Sequence, residues 1–176
     1  MLILQKFALT ALPVGLTLAV DFSGQKWSIK VLRGNFPAKI DDKGRLKLPA
    51  SFRALVQETH GTGLYVTSIT GESVRIYPMP VWQALEQRLA KMPSTHPARI
   101  KFLARVSYFG QPAEFDTQGR VIIPWQLRNV AAMTGDVDVL GQIDYLDVWN
   151  HDRFVHKMAA EPFTDDDAKA LSEFGI

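Results

Sequence analysis

The sequence predicts an α+β fold in which two pseudo-symmetric β units interlock into one small barrel with flanking helices. Three observations carry this. DDKGRLKLP (41–49) returns 75 positions later as DTQGRVIIP (116–124), and setting PAKIDDKGRLKLPASFR over PAEFDTQGRVIIPWQLR matches seven of 17 positions without a gap. Average residue frequencies give about one match by chance, so the chain holds two copies of one supersecondary unit. Each copy reads strand–turn–strand–helix–hairpin–helix, which is too few strands to close a barrel alone. A chain of 176 residues, 47% hydrophobic, can bury a core that two such copies share about a pseudo-twofold axis.

The elements follow in order. Lys39 and Ile40 lead into the first motif as a short strand. Asp41-Asp42-Lys43-Gly44 supplies turn chemistry, since an Asp side chain bonds backbone N–H groups two residues on and Gly tolerates positive φ. Arg45-Leu46-Lys47-Leu48 alternates charged and apolar residues, the pattern of a half-buried strand with a basic outer face. Pro49 suits the first position of a helix, and Phe52, Leu55 and Val56 continue it. LYVTSI and SVRIY form a hairpin around Thr70-Gly71-Glu72. VWQALEQRLAKM (81–92) and PARIKFLARVSYF (97–109) are amphipathic helices parted by Pro93 and Pro97. The second copy repeats the plan: Phe115 leads in, Asp116 to Gly119 turn, and Arg120 to Ile123 form the strand. Pro124 opens a helix with Leu127, Val130 and Ala131 that Gly135 ends, and VDVLG with YLDVW closes a hairpin. His151–Met158 is the last helix, and the acidic tail is expected to fray. The resulting segments are an extension (1–30), the first repeat with its helix (31–92), a linking helix with the second repeat (93–160), and the tail (161–176).

Composition narrows the chemistry. There is no cysteine, so disulfides, thiolate metal sites and a Cys nucleophile are excluded. Lys6, Lys26 and Lys30 against Asp21 account for the whole net charge of +2, and the rest of the chain is balanced. A nucleic-acid face must therefore come from local charge. The apolar stretch LILQKFALTALPVGLTLAV admits three readings. It has a poor basic region and cleavage site for a signal peptide, and Pro13 and Gly15 break it as a membrane span. The favoured reading is a start of translation at Val31, since GTG-type valine codons can start bacterial genes. The core domain is then expected to have no membrane association.

Comparison of the two copies separates structure from function. Asp41, Gly44, Asp116 and Gly119 recur as turn residues, which is a structural role. On the outward face, Lys39, Lys43, Arg45 and Lys47 correspond to Glu114, Gln118, Arg120 and Ile122, so the basic stripe of the first copy is lost in the second. A solvated surface charge would explain Arg45 taken alone. The stripe as a whole suits phosphates and, through Arg, guanine edges in a major groove that admits a two-stranded ribbon. The candidate partner is double-stranded DNA, and the candidate contacts are Arg45, Lys43, Lys47 and Lys39, with Arg33 and Arg120 added. No catalytic residue, cofactor, metal or small-molecule substrate is expected. Asp136 to Asp147 approaches a calcium loop, but Leu140 stands fifth, Asp147 twelfth, and Val137 and Val139 alternate as in a strand. His151 and His156 are five apart, off one helix face, and HGTGLYV lacks the third glycine of a dinucleotide fingerprint.

The chain resembles the MraZ family, bacterial transcriptional regulators of the AbrB-like swapped-hairpin superfamily. The resemblance runs from Val31 to the last helix. It rests on VLRGNFPAKIDDKGR with Val31 in the initiator position, YPMPVW (77–82), the second Asp-x-x-Gly-Arg, and LDVW (146–149). It implies a cytoplasmic, nucleoid-associated regulator of the division and cell-wall gene cluster. It further implies a homo-oligomeric ring reading direct repeats upstream of its own operon, with the functional arginine at Arg45 and its counterpart at Arg120. GQPAEFD looks one residue shorter than usual, leaving the strand register there open, and residues 1–30 have no family counterpart. The alternatives are an AbrB-like antitoxin or partner-binding module, with the acidic tail as its effector, and an enzyme on a two-repeat barrel.

Overall fold

A computed structural model describes residues 31–176, and the readings made for residues 1–30 lie outside the described residues. The first copy comprises β1 (Leu32–Ile40), β2 (Arg45–Lys47), α1 (Ala50–His60), β3 (Gly63–Thr67), β4 (Val74–Pro78) and α2 (Met79–Ala90). After α3 (Pro97–Phe109), the second runs β5 (Gln111–Glu114), β6 (Arg120–Ile122), α4 (Trp125–Val130), β7 (Gly135–Ile143), β8 (Tyr145–Asn150) and α5 (His151–Ala160). A last helix, α6 (Asp165–Ser172), occupies the tail.

Every ladder is antiparallel, and the strand order is β5-β3-β4-β8-β7-β1-β2-β6. The order explains why neither copy stands alone. β1 pairs with β7 of the other copy, and β5 pairs with β3. The copies also meet at β4–β8 and β2–β6. Exchanging equivalent strands maps this order onto itself once its two ends, β5 and β6, are joined, so the predicted interlocking about a pseudo-twofold axis is the observed architecture. The turn joining β5 to β6, with Asp116 N–H bonded to the Arg120 carbonyl at 2.9 Å, brings the two ends of the sheet together into a nearly closed barrel. A closed sheet leaves few unpaired edges.

Alternation sends one face of each strand inward. Leu46, Val121, Leu64, Val66, Val74, Ile76, Val137, Val139, Leu146 and Val148 fill the barrel, with Phe52 and Val56 of α1 and Leu127 of α4 packed into the same core. Full burial of each such side chain stabilises by about 1.5–3 kcal/mol relative to exposure. A second apolar layer lies around Trp82 of α2 and Val106 of α3, with Tyr65, Tyr77 and Tyr145 packed on it. Tyr65 stacks on Trp82 at 4.1 Å, and Thr67 Oγ1 donates to the Val106 carbonyl at 2.8 Å.

Several local expectations change. β1 extends over nine residues because β7 offers it a partner along its whole length. Pro49 and Pro124 precede their helices by one residue, with extended ψ of 137° and 142°, and so cap them from outside. The second-copy helix ends at Val130, and Gly135, at φ 67°, opens β7. The open register before the second motif is set by Gly63 opposite Glu114 and Leu64 opposite Ala113. The tail is helical at α6, where Thr164 and Asp167 form a reciprocal capping box and three aspartates occupy the first turn. Both features favour a helix N-terminus.

Candidate nucleic-acid interface

Each Asp-x-x-Gly-Arg motif closes on itself. Asp41 Oδ1 accepts from the backbone N–H of Lys43 at 3.0 Å and of Arg45 at 2.9 Å, while Oδ2 accepts from Arg45 Nε–H at 2.6 Å. Asp116 repeats the pattern, with Gln118 and Arg120 N–H both at 2.9 Å and Arg120 Nε–H at 2.7 Å. The backbone N–H of Arg45, then its side chain, holds the Asp41 carboxyl below the usual range against an opposing desolvation, and Arg120 does the same to Asp116. Gly44 and Gly119 take φ of 77° and 72°, a region that favours glycine. The arginines therefore have a local role that the outward strand pattern did not reveal, which explains why both copies keep them. The bond uses Nε and leaves the terminal nitrogens of each guanidinium fork for other partners.

The β2–β6 ladder then sets these motifs side by side. Arg45 lies opposite Ile122, Leu46 opposite Val121, and Lys47 opposite Arg120. Leu46 and Val121 point into the core, so Arg45, Lys47, Arg120 and Ile122 share the outer face of one two-stranded ribbon. Lys43 is exposed at the β1–β2 turn beside it. Lys39 lies instead on β1, opposite Asp136 and ion-paired to it at 3.2 Å. Arg33 sits six residues further back along β1, about 20 Å from Lys39 at the usual strand rise, so the structure does not gather it with the others.

Two further arginines reach the site. Arg53 on α1 and Arg128 on α4 are repeat counterparts, and each crosses to the other copy. A Cβ on Gly44 would run into the Arg128 side chain, and one on Gly119 would run into Arg53. Arg128 Nη1 donates to the Asp42 carbonyl at 3.4 Å, and Ile123 N–H donates to the Gly44 carbonyl at 2.8 Å. Arg128 Nε is buried with no hydrogen-bond partner among the described residues. The sequence held a signal for this pair: it is the seventeenth and last position of the repeat comparison and matches in both copies.

The acid-rich stretch from Asp136 to Asp147 forms the β7–β8 hairpin, and Asp136, Asp138 and Asp147 have local partners. Asp138 is buried and accepts from Asn35 Nδ2 at 3.1 Å, with His151 Nδ1 at 2.8 Å, and Asp147 accepts from Trp149 Nε1 at 2.9 Å. No three His, Asp or Glu among the described residues are grouped to hold a metal ion.

The chain matches the model of a family described as "MraZ protein, putative antitoxin-like" over residues 31–105 and 111–174. The chain belongs to the MraZ family. The two matched stretches follow the two structural copies, the first beginning at β1 and the second at β5. Among MraZ relatives, a protein of Acidobacterium capsulatum named "Transcriptional regulator MraZ" is 47% identical over 146 residues, covering 83% of this chain and all of the relative. A Koribacter versatilis protein of the same name is 44% identical over 147 residues, again 83% and 100%. A third, from Herpetosiphon aurantiacus, is 34% identical over 148 residues, 81% and 98%. Among the described residues no helix is long and apolar enough to cross a membrane.

Proposed function

We propose that the chain is a sequence-specific DNA-binding transcriptional regulator acting in the cytoplasm on the nucleoid, and that the outer face of β2–β6 enters the major groove. The observation that carries this is the register that places Arg45, Lys47 and Arg120 on one two-stranded ribbon. A ribbon of two strands fits a major groove about 12 Å wide, and a guanidinium fork pairs with guanine O6 and N7. The turn carboxylates fix each arginine through Nε, which pre-orients the fork before DNA arrives. Lys43 is suited to phosphate, and Lys39 and Arg33, which lie off the ribbon on β1, to flanking backbone contacts. The name shared by the relatives supports a transcriptional regulator, and the family resemblance implies a target in the division and cell-wall gene cluster, read at direct repeats by a ring-like homo-oligomer. Two hairpins locked into one barrel favour this reading over a single-hairpin antitoxin, and a regulator reading needs no catalytic group.

Footprinting on DNA upstream of the gene tests the proposal. Protection of short in-phase direct repeats, lost on Arg45→Ala, is the expected result. Uniform binding to shuffled duplexes would remove the claim of specificity, and stoichiometric recovery of a toxin with the native chain would favour the antitoxin reading.

A further inference from the structure

We propose that α6 is an assembly helix that docks on the outer face of α3 in a second copy of this chain. The inference rests on the reading of the chain as a homo-oligomer and deepens it by naming the contact.

The tail poses a physical problem. α6 is eight residues long and none of its residues is buried. Helices shorter than about 12–15 residues are marginal in water by themselves, and most helices are held by packing of an apolar face. The tail carries such a face. Phe163, Ala170, Leu171 and Phe174 line one shallow groove with Asp167, and Phe163 and Phe174 are 71% and 80% exposed. At helical spacing Asp166 and Glu173 edge the same side. Residues 161–176 hold five acids against Lys169 alone.

α3 offers the complement. Ile100, Ala104 and Tyr108 recur at i, i+4 and i+8 on its solvent side, with Ile100 53% and Tyr108 67% exposed. Lys101 and Arg105 edge this stripe on one side and line a shallow groove together with its Ala104 and Tyr108. Residues 97–109 contain three basic residues and no acid. An apolar stripe with a cationic edge thus matches an apolar stripe with an anionic edge, and helix against helix lets the side chains interdigitate. Opposed charge fixes the register and suppresses wrong partners. The β2–β6 ribbon is also cationic, but it is an extended two-stranded face whose exposed residues alternate along each strand, so it offers no apolar line at helical spacing.

Because the chain has no cysteine, single cysteines report the contact cleanly. Ala104→Cys and Ala170→Cys are small changes at exposed positions, made in separate chains of different tag length. Mixed and mildly oxidised at physiological salt, the two should give a disulfide-linked pair of unequal chains. Linkage of Ala170→Cys to Ile122→Cys instead, linkage only within one chain carrying both changes, or no linkage overturns the proposal. In light scattering, Lys101→Glu with Arg105→Glu should reduce the assembled mass to that of a single chain while binding to one isolated DNA repeat is retained, and an unchanged mass would also overturn it. A wild-type chain that binds DNA as a monomer removes this contact alone. A chain that assembles through α3 and α6 without binding DNA removes only the β2–β6 reading.

Discussion

Leu46 lies directly opposite Val121 across the β2–β6 ladder, and each is the residue that the other becomes under the 75-residue repeat. The pseudo-twofold axis therefore passes through this pair, and both side chains are fully buried. The copies share one core at that point, so neither has a separate stability. Leu46→Ala is expected to lower the unfolding free energy by about 2–5 kcal/mol, the usual range for a buried leucine. Chemical denaturation followed by fluorescence should still show one transition. Two resolved transitions would mean the copies are energetically independent.

The crossed arginines give a second, more local test. Gly44→Ala places a side chain at positive φ and against Arg128, each a distinct penalty. Strain in this backbone region alone costs about 1–3 kcal/mol. Adding Arg128→Ala removes the clash but not the strain, so the double variant should lose less stability than the sum of the two single changes. Strict additivity in that cycle would show that Arg128 does not rest on the turn.

The turn motif shows how far the sequence could be read and where it stopped. Repetition of Asp41 to Pro49 at Asp116 to Pro124 disclosed two copies, their strand–helix plan and the inward set at Leu46 and Val121, because period and turn chemistry are local. It did not disclose that the copies meet at those same strands. With β2 and β6 treated as separate, the outward face of the second copy reads as one that has lost the basic stripe. Register across 75 residues places Arg120 opposite Lys47, and pairing between distant strands leaves no mark on either segment alone. The helix in the tail was not legible for another reason: acidic composition points to fraying, while the reciprocal Thr164–Asp167 cap that starts α6 spans only three residues.

That register changes the expected pattern of DNA-binding losses. Arg45→Ala should weaken specific binding by about 1–3 kcal/mol for each engaged ribbon, the range for one bidentate base contact. Arg120→Ala should produce a loss of the same order, because it lies on the same face. Gel-shift titrations on cognate and shuffled duplexes compare them. A loss confined to Arg45 would show that the first copy alone touches DNA. Thermal melts of both variants control for the Nε bonds to Asp41 and Asp116.

His151 links the start of α5 to the sheet, with Nδ1 at 2.8 Å from the buried Asp138 carboxylate, which Asn35 of β1 also contacts. The side-chain bond to Asp138 and its charge raise the His151 pKa above the ordinary 6.5. A raised folded-state pKa means the stabilising contribution is complete below 6.5 and is lost as pH rises through the folded value. The melting temperature is therefore expected to decline as pH rises from about 6 through the neutral range. His151→Gln should remove that component of the pH dependence while leaving the acid side unchanged. Identical pH profiles for the two proteins would exclude the pair as its source.

Assembly should be visible in the salt dependence of binding. One ribbon presents Lys43 and Lys47 to phosphates while Arg45 and Arg120 read bases, so it neutralises about two to four phosphates and gives a log–log salt slope of about −2 to −4. Such a module binds weakly at physiological salt. Joining modules rigidly in one assembly raises the effective concentration of each later contact, which adds about two to four decades of affinity. Because both copies of the motif already lie on one ribbon, further ribbons must come from further chains. Ribbons that face one side of a duplex need sites about 10 base pairs apart, repeated head to tail if the chain contacts are heterologous. The slope on three in-phase repeats should therefore be steeper than on one. Inserting half a helical turn between repeats should cost far more affinity than inserting a full turn. Equal slopes on one and three repeats, with no penalty for the half-turn insertion, would mean that each chain binds DNA alone.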